Sequence, residues 1–442
     1  MKKLLVVLCV LLAMVSCAVA ETRYEPGEYN KAVGDANDLK KYGDFQYVIL
    51  KDKTAEIVAY TGNSAMLKIP SKLGNYKVTS IGYQAFYPGD GLTEVVIPDS
   101  VVYIAPRAFS GCQDLGYISV PGSVETVGEY AFYNCNAAAF IFIAPGVRHI
   151  GANAFSHCDA LMTVTLPDTI ISLGTDAFSF NPNLDDFTIP LSVEQIEGNP
   201  IAGCGRLSDI RVDPNHPNLM LLDGVLFDKN ERRLICYPAV KDEKTYTVPN
   251  GIYSIGNSAF RGNKYITEIE ITSGVTEIGT YAFAGCAGLT DINIPEGVST
   301  IRERTFLSCT SLAKIVIPDQ VTEIEYDAFV SCDALESVTL SERVTNIRRG
   351  VFSRCPNLTL TVTPGSYAEQ YAIDNNIPYV CADEGGAAPA DGSWSCTCGA
   401  INTTKFCPEC GQKKPEDPQC SSCGYKPEGA APKFCPECGT KF

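Results

Sequence analysis

Apolar positions along this chain recur in a single 23-residue rhythm. Phe86, Phe109, Phe132, Phe155 and Phe178 follow one another at that interval, Ile201 keeps the sixth place, and Phe260, Phe283, Phe306, Phe329 and Phe352 resume the series. Three residues after these positions stand Cys112, Cys135, Cys158, Cys204, Cys286, Cys309, Cys332 and Cys355, with Gly89, Asn181 and Asn263 in the remaining slots. Three further on comes Leu, as at Leu92, Leu115, Leu161, Leu289, Leu312 and Leu335. One unit reads Leu289-Thr290-Asp291-Ile292-Asn293-Ile294-Pro295, then Val298, Ile301, Phe306 and Cys309. It predicts a short strand with Leu289, Ile292 and Ile294 inward, a Pro-centred turn, and a second apolar run returning to the Phe. No unit can bury its apolar face alone, whereas stacked units share a continuous core. The pattern therefore predicts a repeat solenoid, mainly β with short helical or 3-10 segments, of about eleven coils. Strands 4.7–4.9 Å apart would form a parallel sheet wall, with the Phe side chains stacked as a spine.

The unit L-x-x-I-x-I-P-x-x-V-x-x-I-x-x-x-A-F-x-x-C resembles the BspA-like leucine-rich repeat of bacterial and protist surface proteins. The resemblance covers residues 44–381. It implies an N-terminal hairpin cap over 44–70, where Tyr47-Val48-Ile49-Leu50 and Ile57-Val58-Ala59-Tyr60 would cover the first open coil. It also implies a closing helix over 366–376 and an island insertion over about 213–248, where Asp223-Gly224-Val225-Leu226-Phe227 and Leu234-Ile235-Cys236-Tyr237-Pro238 read as a hairpin. Residues 21–43 form a lead segment before the cap. Asn replaces Cys at the same ladder slot, which marks a buried position, and equivalent side chains on successive coils point in parallel, which suits disulfide torsions poorly. The ladder cysteines therefore read as buried free thiols; Cys236 and Cys381 lie off the ladder.

Outward positions on the strands decide what the wall presents. Tyr117, Phe140 and Phe142 would form an aromatic patch on two adjacent strands. Asp186, Asp209, Glu268, Glu270 and Asp291 would form an acidic stretch further along, unless the island separates them. Both groups are candidate partner-binding residues, set against the plainer reading of a solvated wall.

The two ends of the chain carry different signals. Lys2 and Lys3 precede an apolar run from Leu4 to Val15, too short to span a bilayer as a helix, and Ala18-Val19-Ala20 follows, so residues 1–20 read as a secretory signal peptide. Val15-Ser16-Cys17 partly resembles a lipobox, which offers lipid anchoring at Cys17 as a second route; Met14 stands where that box carries Leu. At the other end, residues 382–393 have linker composition. Residues 394–442 hold Cys396, Cys398, Cys407, Cys410, Cys420, Cys423, Cys435 and Cys438, with a Gly after each pair. They resemble tandem zinc ribbons in which two Zn²⁺ ions each take four thiolates and no coordination position stays open, so the metal would be structural. Four disulfides are the competing reading in an oxidising exterior.

Composition narrows the function classes. The 442 residues carry a net charge of -16, which disfavours nucleic acid and anionic lipid surfaces. The tail from Trp394 onward has six Lys, five acidic residues and no Arg, so its ribbons lack a basic stripe. Three His rule out a multi-histidine metal enzyme, and His149, His157 and His216 read as surface residues. No nucleophile elbow, HExxH or phosphate loop is present. The expectation is a non-enzymatic exported or cell-surface protein. The resemblance implies adhesion to matrix, host or neighbouring-cell proteins. The alternative is an envelope or cytosolic scaffold whose zinc-ribbon tail recruits a partner.

Overall fold

A computed structural model describes residues 36–382 and, beyond them, the short strands Trp394–Ser395 and Ile401–Asn402. The chain winds as a β-solenoid of about 14 turns at the 23-residue period. Each turn contributes one strand to an outer wall, such as Glu94–Val96, Tyr117–Val120 and Phe140–Ile143, and a two-residue strand to a return ladder, such as Tyr103–Ile104, Thr126–Val127 and His149–Ile150. Both ladders are parallel, and Phe140 lies opposite Tyr117 and Thr163 in register. The Phe-bearing segments between them are tight turns. Among the described residues the helical elements are Ala36–Asp38, a 3-10 turn, and the α-helix Tyr367–Asp374.

The Phe column forms the spine. Ring centroids on successive turns lie from 4.6 Å (Phe86–Phe109) to 5.5 Å (Phe329–Phe352) apart, and Phe109 and Phe132 are within 3° of parallel. Face-to-face stacking is not the arrangement two free rings choose; the pitch of a parallel ladder imposes it. The spine is longer than the Phe series. Tyr60 sits 5.7 Å from Phe86, Tyr237 stacks at 4.9 Å on Phe260, and Tyr371 meets Phe352 at 6.3 Å. Tyrosine thus takes the Phe position in the turns before Phe86 and Phe260, while Tyr371 of the helix closes the column edge-on, and the solenoid has about 14 turns rather than eleven.

Beside the spine, each ladder thiol reaches down one turn. Cys112 Sγ lies 3.4 Å from Phe86 O, Cys309 Sγ 3.2 Å from Phe283 O and Cys332 Sγ 3.1 Å from Phe306 O. Asn181 does more in the same slot: its Nδ2 donates to Phe155 O and Phe178 O, and its Oδ1 accepts from Cys158 N. Two residues before each Phe the backbone turns left-handed, at Arg107, Tyr130, Asn153, Asp176, Tyr281, Arg304 and Asp327 among others, and only Gly350 relieves it with glycine. Hydrogen bonds to the next turn, such as Arg107 N to Glu129 O and Tyr130 N to Ala152 O, hold these residues in place.

The solenoid is interrupted once. The return ladder runs unbroken to Gln195–Ile196 and starts again at Arg233–Cys236 and Ser254–Ile255. Between them an antiparallel meander is built from Leu219–Leu222, Val225–Asp228 and Arg233–Cys236. Its side chains replace the missing ladder bonds. Arg233 donates to Ile196 O (2.6 Å) and Glu197 O (2.8 Å), and Asn218 Nδ2 donates to Glu194 O. A buried pair joins the two halves: Arg261 Nη1 lies 2.5 Å from Asp176, which also accepts from Ser179 and Ser258. The Arg261 guanidinium sits between the rings of Phe180 and Tyr281. Buried apolar residues form two main clusters, one ending at Leu226, Ile235 and Cys236 and one beginning at Val225, Phe227 and Leu234.

At the far end the N-cap Ser366 Oγ accepts from Glu369 N, and the Glu369 carboxylate takes the N–H of Gly365, one residue before the cap, so two side chains hold the helix start. Ala368 and Ala372 are its buried face.

Two substitutions test the spine. Phe306→Ala removes a fully buried ring with neighbours on both sides and should cost ~3–5 kcal/mol in chemical denaturation. Tyr237 carries a buried hydroxyl without a hydrogen-bond partner. Tyr237→Phe should therefore leave stability unchanged or raise it by about 1 kcal/mol.

Candidate protein-binding face

Strand alternation puts every second wall residue outward, and the structure places Tyr117, Phe140 and Phe142 there at 45%, 49% and 48% exposure. Their inward neighbours Ile118 and Ile141 are buried. Ala138, which lacks the usual Leu bulk, is buried without shifting the register. Phe142 faces Ser119 across the ladder, and among the described residues none of the three rings stacks on another. Val96 and Met66 extend the same face toward the N-terminal end of the wall, and both are exposed. The three rings and the outward position of Val96 were expected from the sequence; Met66 was not. The result is an aromatic strip on the strands Tyr117–Val120 and Phe140–Ile143, flanked by Val96 and Met66, which sit opposite the exposed Lys68 and Glu94.

The acidic residues divide into two groups. Asp186 and Asp209 are register partners, and Arg211 pairs with both, so half of their charge is neutralised locally. Glu268 and Asp291 are partners on the second half, and Glu270 accepts from Thr247 Oγ at 3.0 Å. The strand Asp209–Val212 pairs only with Asp186–Ile189, and Thr245–Thr247 pairs with Glu268–Glu270; no pairing links the two sets. The island thus separates residues that an uninterrupted wall would have lined up as one stretch.

The ladder cysteines are free and, except for half-buried Cys355, buried. Burial pushes the thiols of Cys112, Cys158, Cys204 and Cys309 up to about 12, far from the thiolate range. Cys355 alone moves down, through a hydrogen bond from Cys332. Cys236 is buried in the island meander, and Cys381 is exposed beside Glu369 at 3.7 Å. His149 meets Ser172 Oγ at 2.9 Å, and His157 is packed between Tyr133 and Phe180. His216 is fully buried, against the expectation of a surface residue: the island folds over it. Its solitary position gave no repeat from which burial could be read. Arg233, Asp176 and Arg261 were likewise missed, because each occurs once.

A groove of about 680 Å³ follows the ladder break, lined by Glu194, Glu197, Glu231, Arg233, Tyr253 and Glu277. No group of His, Cys, Asp or Glu among the described residues could hold a metal ion, and no helix among them is long and apolar enough to cross a membrane. The proposed zinc ligands Cys396, Cys398, Cys407, Cys410, Cys420, Cys423, Cys435 and Cys438 lie outside the described residues, as do the signal segment 1–20 and Cys17.

The chain belongs to the BspA-type leucine-rich repeat family: that repeat region matches in six copies over residues 79–212 and 239–359, more than half of the sequence. The stretch between the two matches holds the island strands. A leucine rich cell surface protein from Faecalibacterium prausnitzii A2-165 is 31% identical, with 77% of this chain and 98% of that chain covered at a TM-score of 0.57. The fold is shared with a leucine-rich repeat protein from Eubacterium ventriosum at 23% identity, with 73% and 82% covered and a TM-score of 0.53. It is shared also with the pneumococcal vaccine antigen PcpA at 20% identity, with 78% and 98% covered and a TM-score of 0.52. No curated protein matches the chain.

The ladder predicts a sharp reactivity pattern. Alkylation of the folded chain near pH 8, mapped by mass spectrometry, should among the described cysteines label Cys381 first and Cys355 more slowly. Cys158, Cys286 and Cys309 should react only after denaturation. Labelling of any of these three in the native chain would contradict the buried ladder.

Proposed function

We propose that this is a non-enzymatic, exported protein that binds other proteins at a cell surface through the aromatic strip of its wall. The observation that carries the reading is the exposure of Tyr117, Phe140 and Phe142 on adjoining strands of a rigid sheet. Apolar rings on an otherwise polar face favour a partner that removes them from water. Support for the location comes from membership in the repeat family, from the relative described as a cell surface protein, and from the signal-like segment 1–20. The matched family is a repeat family rather than a catalytic one, and the buried thiols offer no activated nucleophile.

The C-terminal residues act as a separate module in this reading. Trp394–Ser395 pairs antiparallel with Ile401–Asn402, and the segment between these strands carries Cys396 and Cys398. A short hairpin bracketing two cysteines and a glycine suits a thiolate-bound structural Zn²⁺.

Two measurements test these statements. The exported chain and a Tyr117→Ser, Phe140→Ser, Phe142→Ser variant, shown by circular dichroism to keep its fold, are offered to immobilised matrix proteins and to envelope proteins of the producing cell. Capture of a matrix protein should fall at least tenfold in the variant. Equal capture removes the aromatic strip from the mechanism, and capture of envelope components alone replaces adhesion by a scaffolding role. Metal analysis of the purified chain should find two zinc ions, released by chelation with exposure of the eight tail thiols while the solenoid keeps its β signal. Absence of zinc together with four tail disulfides would refute the metal assignment.

A further inference from the structure

Beside Arg233 and Asn218, one imidazole also ties the island to the first half of the solenoid. His216 is fully buried. Its Nδ1 accepts from two backbone amides, Asn218 N at 3.2 Å and Leu219 N at 3.1 Å, and its Nε2 lies 3.3 Å from Pro190 O, an oxygen that can only accept. These partners allow one state of the ring: neutral, with the proton on Nε2. The two amides it holds are consequential. Asn218 caps Glu194 O at the broken ladder edge, accepts Lys229 N and receives Asn230 Nδ2, and Leu219 is buried in the first core.

We propose that His216 is a pH-operated latch that keeps the island closed over the ladder break at neutral pH and releases it in acid. A proton added at Nδ1 removes the acceptor for both amides at once and sets N–H against N–H. The new charge also meets Lys229, whose ammonium already donates to His216 O. Two carboxylates face the ring, and both are committed elsewhere: Asp213 takes the amide of Asn215, and Asp228 takes those of Asn230 and Glu231. Pro190 supplies only a carbonyl, and the Glu194 side chain is exposed. Burial, the largest influence, and the nearby Lys229 hold His216 below its ordinary value of 6.5.

The direction of the pH effect follows. The open island binds the proton more readily than the closed one, so closure is fully stabilised above about pH 6.5 and weakens as pH falls toward the depressed value of the closed state. Within that window the open population grows by up to about tenfold per pH unit. Release would uncover the carbonyl of Glu194 and loosen the wall of the groove beside Glu197 and Arg233. The latch operates whatever the aromatic strip binds.

Only three histidines occur in the chain, so their ring signals can be followed individually by NMR in the full-length protein, with His216→Asn identifying one of them. Hydrogen exchange over residues 214–222, corrected for intrinsic rates, is measured on the same samples from pH 7.5 to 4.5. The expected result is that protection of the Asn218 and Leu219 amides falls as the His216 ring titrates, while protection of the Phe-column turns stays constant. The side-chain oxygen that His216→Asn introduces can accept the same two amides without titrating, so the variant should keep protection and lose its pH dependence. Protection that stays constant through the ring's titration, or a ring that does not titrate in this range, overturns the latch. So does the same pH-dependent loss in His216→Asn, which would assign it to Asp213 or Asp228. Should that variant be open already at pH 7.5, the coincidence of the two wild-type curves decides.

Discussion

The pitch of a parallel β-ladder is the constraint on which this molecule depends. Successive turns lie about 4.8 Å apart, so every interior residue must pack against its own counterpart at that distance. A phenyl ring meets the requirement by stacking face to face, and the Phe column does so from Phe86 to Phe178 and from Phe283 to Phe352, with Phe260 tilted by 32° against Phe283. A thiol meets it by donating to the carbonyl of the turn below, as Cys112 and Cys309 do. Asparagine meets it with more hydrogen bonds, as Asn181 does. The interior is in effect periodic, and individuality is confined to outward positions and to places where the period fails.

Failure of the period is costly, because a ladder edge exposes carbonyls that have lost their donors. At the break the replacements are side chains of the island: Asn218 for Glu194 O, Arg233 for Ile196 O and Glu197 O. The opposite flank is tied by Asp176 and Arg261, which bridge turns 85 residues apart in sequence. Such a buried pair is a weak source of stability on its own but a strong penalty if halved. It fixes one relative placement of the two flanking turns rather than adding much to the core.

What the sequence discloses follows this division. Phe109, Cys112 and Leu115 could be placed in the core because the same residues recur at the same phase, and the outward direction of Phe140 followed from alternation on a strand whose inner residues are Ile141 and Ile143. Tyr60 and Tyr237 escaped notice because the position recurs while the residue type changes, and Tyr371 because it meets the column from the closing helix. His216, Arg233 and Arg261 carry no periodic signal at all; their roles are created by a chain path through the island that length alone does not determine. The acidic residues illustrate the point from the other side. Their positions on the strands were readable, but their grouping depended on whether the wall continued past Val212, and it does not.

The aromatic strip is best judged against its neighbours in the same columns. Thr163 and Thr165 occupy the outward positions one turn further on, in the same register as Phe140 and Phe142, and their strand pairs equally well. A β-branched polar residue therefore satisfies everything the wall requires of that position. Exposed rings at Tyr117, Phe140 and Phe142 add apolar surface that the solenoid does not use, while the return side of the same turns keeps its aromatic residues stacked or covered, as with Tyr130 on Tyr133 and under Arg107. Other rings are open as well, Tyr87, Tyr253 and Tyr326 among them, but Tyr117, Phe140 and Phe142 gather on two adjoining wall strands, and it is this grouping on which the proposed partner contact rests.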